Sequence, residues 1–340
     1  MDISGYTIDL STVIQSIKKN KYHAVALQIP EGLKPYVQEV VTTIEQGGTI
    51  EVFVVVDPCY GACDLIGEKL KHLGIDAVFQ LGHTSLGVEQ KNSIPTYFIN
   101  VDATNPISSV IKKIAPRLEG KTIGVVTTAQ HLHQLDEIKQ LLQEQNVKVV
   151  IGSGSKRVPA PGQILGCDFT AATTIQEQVD GFLYVGSGRF HPLGLQLATE
   201  KSVTIADPTT GEIVTDELHH DKENILRQRY GLIATAQSAR SVGILVGSKP
   251  GQTRMKTAQY LRHILQEKQK KSVMMVVDYL TPDMIDSFRG IECIVSTLCP
   301  RLALDDAHRY KIPVLTPLEL EIVLGKKSWE EYTFDTFITE

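Results

Sequence analysis

The 340 residues include only 5 Cys and 1 Trp, and aromatic side chains make up 6% of the chain. Cysteine this scarce excludes a disulfide-built scaffold, and a chain of this length buries enough surface to need none. A strong excess of either charge is also lacking. The 34 Lys+Arg against 39 Asp+Glu leave a formal net charge of −5, which gives no general attraction for nucleic acid or an anionic membrane. Apolar runs such as Val52–Val56 and Ile244–Val246 have strand length, far short of the ~20 residues of a membrane helix. The opening MDISGYTIDLSTVIQ has no basic segment before an apolar block, so no signal peptide is read. The expectation is a cytoplasmic globular protein with reduced thiols and with neither membrane nor nucleic acid as partner.

What is present is a repeated order of buried strand-like runs and amphipathic helical stretches, the pattern of α/β layers with parallel sheets. In the first third, strand Tyr22–Ile29 leads through Pro30-Glu31-Gly32 into a helix with Leu33, Val37, Val40, Val41 and Ile44 on one face. Pro35 is tolerated there as a first-turn residue. Strand Glu51–Val56, helix Asp64–Leu73, strand Asp76–Leu81 and the loop Gly82–Leu86 follow. The second third reads strand Lys121–Thr127, helix Leu132–Gln145, strand Val147–Ile151, a Gly/Pro-rich loop, helix Thr173–Val179 and strand Phe182–Val185. The last reads strand Val242–Val246, loop Gly247–Thr253, helix Met255–Gln266, strand Val273–Val277, helix Pro282–Phe288 and strand Cys293–Thr297. The expected fold is three homologous α/β domains, 1–117, 118–216 and 217–340, in a pseudo-threefold arrangement around a central site. In such sheets the loops beyond the carboxyl ends of the strands line the ligand crevice.

On this map three cysteines fall in loops just past a strand end, one per domain: Cys59 in VVVDPCYGACD, Cys167 in VPAPGQILGCD and Cys299 in IVSTLCPRLALDD. Three thiolates suit an iron–sulfur cluster or a soft divalent metal rather than Mg²⁺ or Ca²⁺. Their separations of more than 100 residues match neither a zinc ribbon nor a ferredoxin run. Three ligands on a [4Fe–4S] cluster leave one iron open to substrate. The alternative is that all three are small buried hydrophobes, as free cysteines often are. Cys63 and Cys293 read as that packing kind, and a CxxxCxxC motif starting at Cys59 fails because Ile66 stands where its third thiol belongs.

Other polar groups also fall near strand ends. Gly186-Ser187-Gly188-Arg189-Phe190-His191 lets backbone approach a ligand closely, with His191 as either a ligand contact or a helix-cap residue. Gly247–Arg254 occupies the corresponding loop of the third unit. It lacks P-loop spacing, but Arg254 and Lys249 can hold an anion, beside Gly251 and Gln252. Glu31 can hold an ammonium group. Arg301 can clamp a carboxylate through two N–H groups, the alternative being a salt bridge to Asp305 or Asp306. Asp207-Pro208 and His219-His220 read as loop residues, and no Ser-His-Asp or HExxH pattern occurs.

PEGL (Pro30–Leu33), DPCYGACD (Asp57–Asp64), GSGRFHPLGL (Gly186–Leu195) and CPRLALDD (Cys299–Asp306) resemble, in order and over residues 20 to 325, the diphthamide synthase family, in its compact archaeal form. The resemblance implies a [4Fe–4S] cluster on Cys59, Cys167 and Cys299, with no catalytic side chain beyond it. It implies S-adenosyl-L-methionine as co-substrate and cleavage of its Cγ–S bond. A 3-amino-3-carboxypropyl radical would add to a histidine of translation elongation factor 2, releasing methylthioadenosine. It further implies a homodimer and an external electron donor. Glu31, Gly186, Gly188, His191, Gly251, Gln252, Arg254 and Arg301 are the expected surroundings of the co-substrate. Quinolinate synthase also resembles three α/β units around a three-cysteine cluster, but the PEGL, YGACD and CPR segments favour the first family. A non-catalytic electron-delivery or scaffold subunit is the reading from another class; a cysteine in all three loops argues against it.

Overall fold

The computed structural model describes residues 1–88 and 94–337. Among these, three sheets are built on parallel strands. The first runs Glu51–Val54, Ala24–Gln28, Ala77–Leu81, Thr96–Ile99. The second runs Ile213–Val214, Ser202–Ala206, Gly181–Val185, Thr122–Thr127, Lys148–Val150. The third runs Lys271–Val277, Ser241–Gly247, Cys293–Ser296, Val314–Leu315. Numbered by appearance within its own third and read from the edge of the second strand, each sheet has its strands in the order second, first, third, fourth, and the second sheet adds a fifth, Ile213–Val214, beyond the fourth. A small antiparallel sheet joins Asp2–Ile3, Tyr6–Ile8 and Val101–Ala103. No helix of the described residues is long and apolar enough to cross a membrane.

The repeat extends to one side chain. Asp76, directly before the third strand of the first sheet, accepts from the backbone N–H groups of His23 (2.6 Å) and Ala24 (3.0 Å), where the first strand begins. Asp180 accepts in the same way from Thr122 N–H at 2.8 Å, and Glu292 from Arg240 N–H at 2.5 Å. The sequences Ile75-Asp76-Ala77, Val179-Asp180-Gly181 and Ile291-Glu292-Cys293 therefore mark one recurring joint. A parallel sheet leaves backbone donors unpaired where its strands begin, and a carboxylate there satisfies them.

The chain forms two compact units: Met1–Ile164 with Thr170–Gly188 and Ile205–Ile213, and Leu165–Phe169 with Arg189–Thr204 and Val214–Glu340. In the first, Val13, Ile17, Val40 and Ile44 from two helices cover Val25, Leu27, Phe79 and Leu81 of the first sheet. Ile111, Ile114, Ile138 and Leu142 similarly cover Val125 and Leu183 of the second. In the second unit, Leu261, Ile264 and Leu265 cover Val242, Ile244 and Val246. Each such aliphatic side chain contributes ~1.5–3 kcal/mol when fully buried. Cys293, in register with Val242 and 1% exposed, belongs to this core as a packing residue, its thiol pushed up to about 12 by burial.

The second unit also contains a buried ion pair. Arg229 Nε and Nη2 donate to both carboxylate oxygens of Glu319 at 2.7 and 2.5 Å, and its remaining N–H groups reach the carbonyls of Ala303 and Val314. Glu319 closes a capping box with Thr316 and accepts from Tyr332 Oη. Both carboxylate oxygens and all three guanidinium nitrogens are thereby hydrogen-bonded, the condition under which a buried pair is tolerated.

Several elements differ from the sequence reading. His219 and His220 lie in the helix Asp216–Ala236, not in a loop; the helix buries few apolar side chains, so its stripe is faint. The stretch expected as helix Asp64–Leu73 is helical only at Gly67–Leu70, with a 3₁₀ turn Lys71–Leu73. Asp64 does not begin a helix because its amide and carboxylate are committed to a tight turn and its carbonyl accepts from the Gln28 side chain of the first strand. The helix from Leu33 is a 3₁₀ turn Glu31–Tyr36 before Val37–Glu45, and the helix from Leu132 likewise follows a 3₁₀ turn, Ala129–Gln134. Thr173–Val179 is split into Thr170–Thr173 and a 3₁₀ turn Gln176–Gln178. The helix Ser108–Leu118 and the strands Thr96–Ile99, Ser202–Ala206 and Val314–Leu315 are additions.

The strand-start carboxylates link stability to pH. Their backbone donors hold Asp76 and Glu292 below the usual carboxylate range. A group lowered in the folded state stabilises above its unfolded value and loses that contribution as pH falls below ~4. The double variant Asp76→Asn, Glu292→Gln is expected to melt at a lower temperature than the parent at pH 7, with a smaller drop between pH 7 and pH 3. Identical pH dependence in thermal melts of the two proteins would refute this assignment.

Candidate functional site

In the first unit the candidate chemistry centres on Cys59. After strand Glu51–Val54 the chain turns at Tyr60–Asp64, where the Asp64 carboxylate accepts from the N–H groups of Tyr60 (2.7 Å) and Gly61 (3.0 Å). Beneath this turn lie two buried amides, Gln28 and Gln80, paired across adjacent strands. Gln28 Nε2 donates to the Asp64 carbonyl at 2.7 Å, and Gln80 Nε2 to Gln28 Oε1 at 3.2 Å. Gln80 Oε1 is buried without a hydrogen-bond partner among the described residues. Cys59 is 2% exposed, and its Sγ lies 3.8 Å from His83 Nδ1. Burial, with Asp64 and Cys63 nearby, pushes the Cys59 thiol up to about 12. Burial also lowers His83 to about 4, so its ring is neutral at pH 7. Cys63, half-buried in the turn, is not the start of a helix.

In the second unit, separate parts of the sequence converge on Cys167 and Cys299. Cys167 follows Leu165 and Gly166 in a tight turn closed by Leu165 N–H to the Asp168 carbonyl at 2.9 Å. A Cβ on Gly166 would come within 2.3 Å of the Phe190 ring, so glycine lets that ring lie against the turn. The Arg301 guanidinium stacks over the same ring at 4.1 Å from its centroid. Cys299 caps the short helix Pro300–Asp305 that carries Arg301. Phe190 therefore touches both the turn carrying Cys167 and the side chain two residues beyond Cys299.

A second link runs through the C-terminal segment. Phe337 N–H donates to the Cys167 carbonyl at 2.7 Å, and its ring lies under the Arg254 guanidinium, 4.8 Å away. Arg254 donates to the carbonyls of Thr297 (3.0 Å) and Leu298 (3.2 Å), directly before Cys299, and pairs with both oxygens of Asp335. Burial raises the Cys299 thiol, opposed by the backbone N–H and guanidinium of Arg301.

The expected site residues have different situations. Arg301, 4% exposed, holds Asp305 through Nε and Nη2, both at 2.9 Å, so the salt-bridge alternative is realised for two of its donors. Its Nη1 is buried without a partner among the described residues, and a Cβ on Gly194 would come within 3.0 Å of it. Arg254 is engaged in the links just described. Glu31 is exposed and paired with Lys34 Nζ at 2.6 Å. Gly186 lets Tyr184 Oη approach where a Cβ would stand 2.8 Å away, while Gly188 (φ 76°) has open space around it. The Phe190 ring stands edge-on to that of His191 near the start of helix Phe190–Ala198. Gly251 and Gln252 form the 3₁₀ turn Pro250–Gln252.

All five cysteines are free thiols. Among the described residues no three His, Cys, Asp or Glu side chains form a group ready to hold a metal ion. Cys59 belongs to the first unit, Cys167 and Cys299 to the second. The donor chemistry nevertheless fits a soft metal centre. Cys59 and Cys299 have ionisation suppressed by burial, and a bound cation supplies the charge that makes such sulfurs thiolates. Sequence reading missed Gln28, Gln80, His83 and Phe190. The signal for the two glutamines was present, an amide inside the apolar runs AVALQI and AVFQLG.

Breaking the Arg254–Asp335 pair leaves a nearly buried charge unmatched, which costs ~3 kcal/mol. Asp335→Ala is expected to lower the melting temperature and speed alkylation of Cys299 in metal-free protein. Unchanged melting and labelling would show that the pair does not secure this loop.

The family model for diphthamide synthesis proteins matches residues 29–333. The 2-(3-amino-3-carboxypropyl)histidine synthase of Pyrococcus horikoshii is 35% identical over 335 residues, covering 98% of this chain and 94% of the relative. The enzyme of that name from Methanocaldococcus jannaschii is 30% identical, covering 95% and 89%. The crystal structure of Dph2 from Pyrococcus horikoshii with a 4Fe–4S cluster matches with a TM-score of 0.88 at 34% identity, covering 98% of this chain and 94% of that one.

Proposed function

The chain belongs to the diphthamide synthesis protein family and is an enzyme of the 2-(3-amino-3-carboxypropyl)histidine synthase type, and from that premise we propose that it moves the 3-amino-3-carboxypropyl group of S-adenosyl-L-methionine onto a histidine of translation elongation factor 2. This is the first step of diphthamide biosynthesis, and methylthioadenosine is the by-product. Cys59, Cys167 and Cys299 would hold a [4Fe–4S] cluster, which supplies the electron that cleaves the Cγ–S bond of the sulfonium. The observation that carries this reading is the double link, through Phe190 and through Phe337 with Arg254, between the segments of Cys167 and Cys299.

The remaining residues bind and orient. The co-substrate offers a carboxylate, an ammonium and a nucleoside. The unpartnered Nη1 of Arg301 is a buried donor suited to the carboxylate, and its fork is already fixed by Asp305 and Phe190. Glu31 is the matching acceptor for the ammonium. Gly186, Gly188, His191, Gly251 and Gln252 would surround the nucleoside and the aminocarboxypropyl arm, while Arg254 acts through the Cys299 loop. Residues 1–117, 118–216 and 217–340 are read as three copies of one α/β lobe, supported by the common strand order and the repeated strand-start acid. We place the enzyme in the cytoplasm as a homodimer served by an external electron donor.

The test is anaerobic incubation of the purified, cluster-loaded protein with dithionite, S-adenosyl-L-methionine and elongation factor 2. Methylthioadenosine should form, and the factor should gain one aminocarboxypropyl group on a histidine. Arg301→Gln should weaken co-substrate binding at least tenfold in equilibrium dialysis while the cluster spectrum is kept. A fully loaded, reduced enzyme that releases no methylthioadenosine would overturn the reading.

A further inference from the structure

His83 has no part in the ligand set or the co-substrate surroundings, yet its placement is tightly determined. It follows the third strand of the first sheet, and Gly82 before it has φ +73°, a left-handed conformation in which a side chain is strained. Gln130 Nε2 donates to the Gly82 carbonyl at 2.6 Å, and Gln163 Nε2 to Thr84 Oγ1 at 2.9 Å. The residues on both sides of His83 are thus held by amides from the stretch around the second sheet. The imidazole they fix has its Nδ1 at 3.8 Å from Cys59 Sγ.

We infer that His83 is a positioning residue for Cys59: its Nδ1–H donates a hydrogen bond to the Cys59 sulfur and sets the reduction potential of the cluster that sulfur holds. The inference rests on the proposed ligand role of Cys59. A thiolate bound to iron retains lone-pair density, and a donor directed at it stabilises the more negative, reduced cluster. Donors to ligand sulfur therefore raise the potential, and losing one lowers it. The amide anchors matter for this reason: a donor on an untethered loop would sample many distances, whereas one fixed at both flanks keeps its place as the cluster changes charge.

Two substitutions separate the hydrogen bond from the volume of the ring. Asn places an N–H donor near the position of the imidazole Nδ1–H, whereas Leu fills similar space without one. In anaerobic redox titrations with a europium(II) reductant, followed by electron paramagnetic resonance, His83→Leu should lower the equilibrium constant for one-electron reduction by about tenfold, a downward shift of about 59 mV. His83→Asn should stay close to the parent. Iron retained by His83→Asn and lost by His83→Leu would support the same donor role. A parent-like potential in His83→Leu, an equal shift in both variants, or equal loss of iron from both would overturn it. Cys59→Ser serves as the control for the underlying reading: unchanged iron and sulfide content there would remove Cys59 from the ligand set, separately from any result at position 83.

Discussion

Parallel strand direction is the constraint on which the rest of the molecule depends. When all strands of a sheet point the same way, every carboxyl end and its following loop emerge at one edge, and every amino end gathers at the other. In this protein the two edges carry different chemistry. The amino edge is closed by Asp76, Asp180 and Glu292, each accepting backbone N–H groups where the first strand of its sheet begins. The carboxyl edge carries Cys59, His83, Arg254, Cys299 and the glycine-rich turns. The strand-start carboxylates thus lie at the edge opposite the cysteines; the carboxylates beside Cys59 and Cys299 are instead Asp64 and Asp305, which oppose ionisation of those thiols.

At the carboxyl edge, polar groups are buried for position more than for stability. Gln28 and Gln80 are amides within apolar strands, tolerable because they bind carbonyls of the Cys59 turn. Arg229 is fully buried, and besides Glu319 it holds the carbonyl of Ala303, within the short helix that Cys299 caps. Arg254 and Arg301 act on either side of the same cysteine, the first on the preceding carbonyls and the second within the helix. Replacing both members of such an ion pair by well-packed apolar side chains can cost little stability, but the cysteine segments would lose the contacts that fix them.

Much of the layout was legible in order along the chain. The alternation of apolar runs and amphipathic stretches located most strands of the three parallel sheets, because a strand buried on both faces needs a continuous apolar run. It also placed Cys59, Cys167 and Cys299 beyond strand ends. It failed where local bonding outweighs periodicity, as in the turn locked by Asp64, and where the buried stripe is sparse, as in Asp216–Ala236 with His219 and His220. The antiparallel strands near the N-terminus are too short to show a period.

The sequence by itself determined the α/β class, the parallel sheets, the family, and which residues carry sulfur, guanidinium and carboxylate chemistry, since these follow from composition, local period and short motifs. Only the tertiary structure decided which of those groups meet. Phe190 lies between Gly166 and Arg301, Phe337 N–H reaches the Cys167 carbonyl, and two glutamines flank His83 beside Cys59. Each of these contacts joins residues far apart in the chain, and such pairings depend on how packed elements bring distant segments together rather than on the preferences of any one segment.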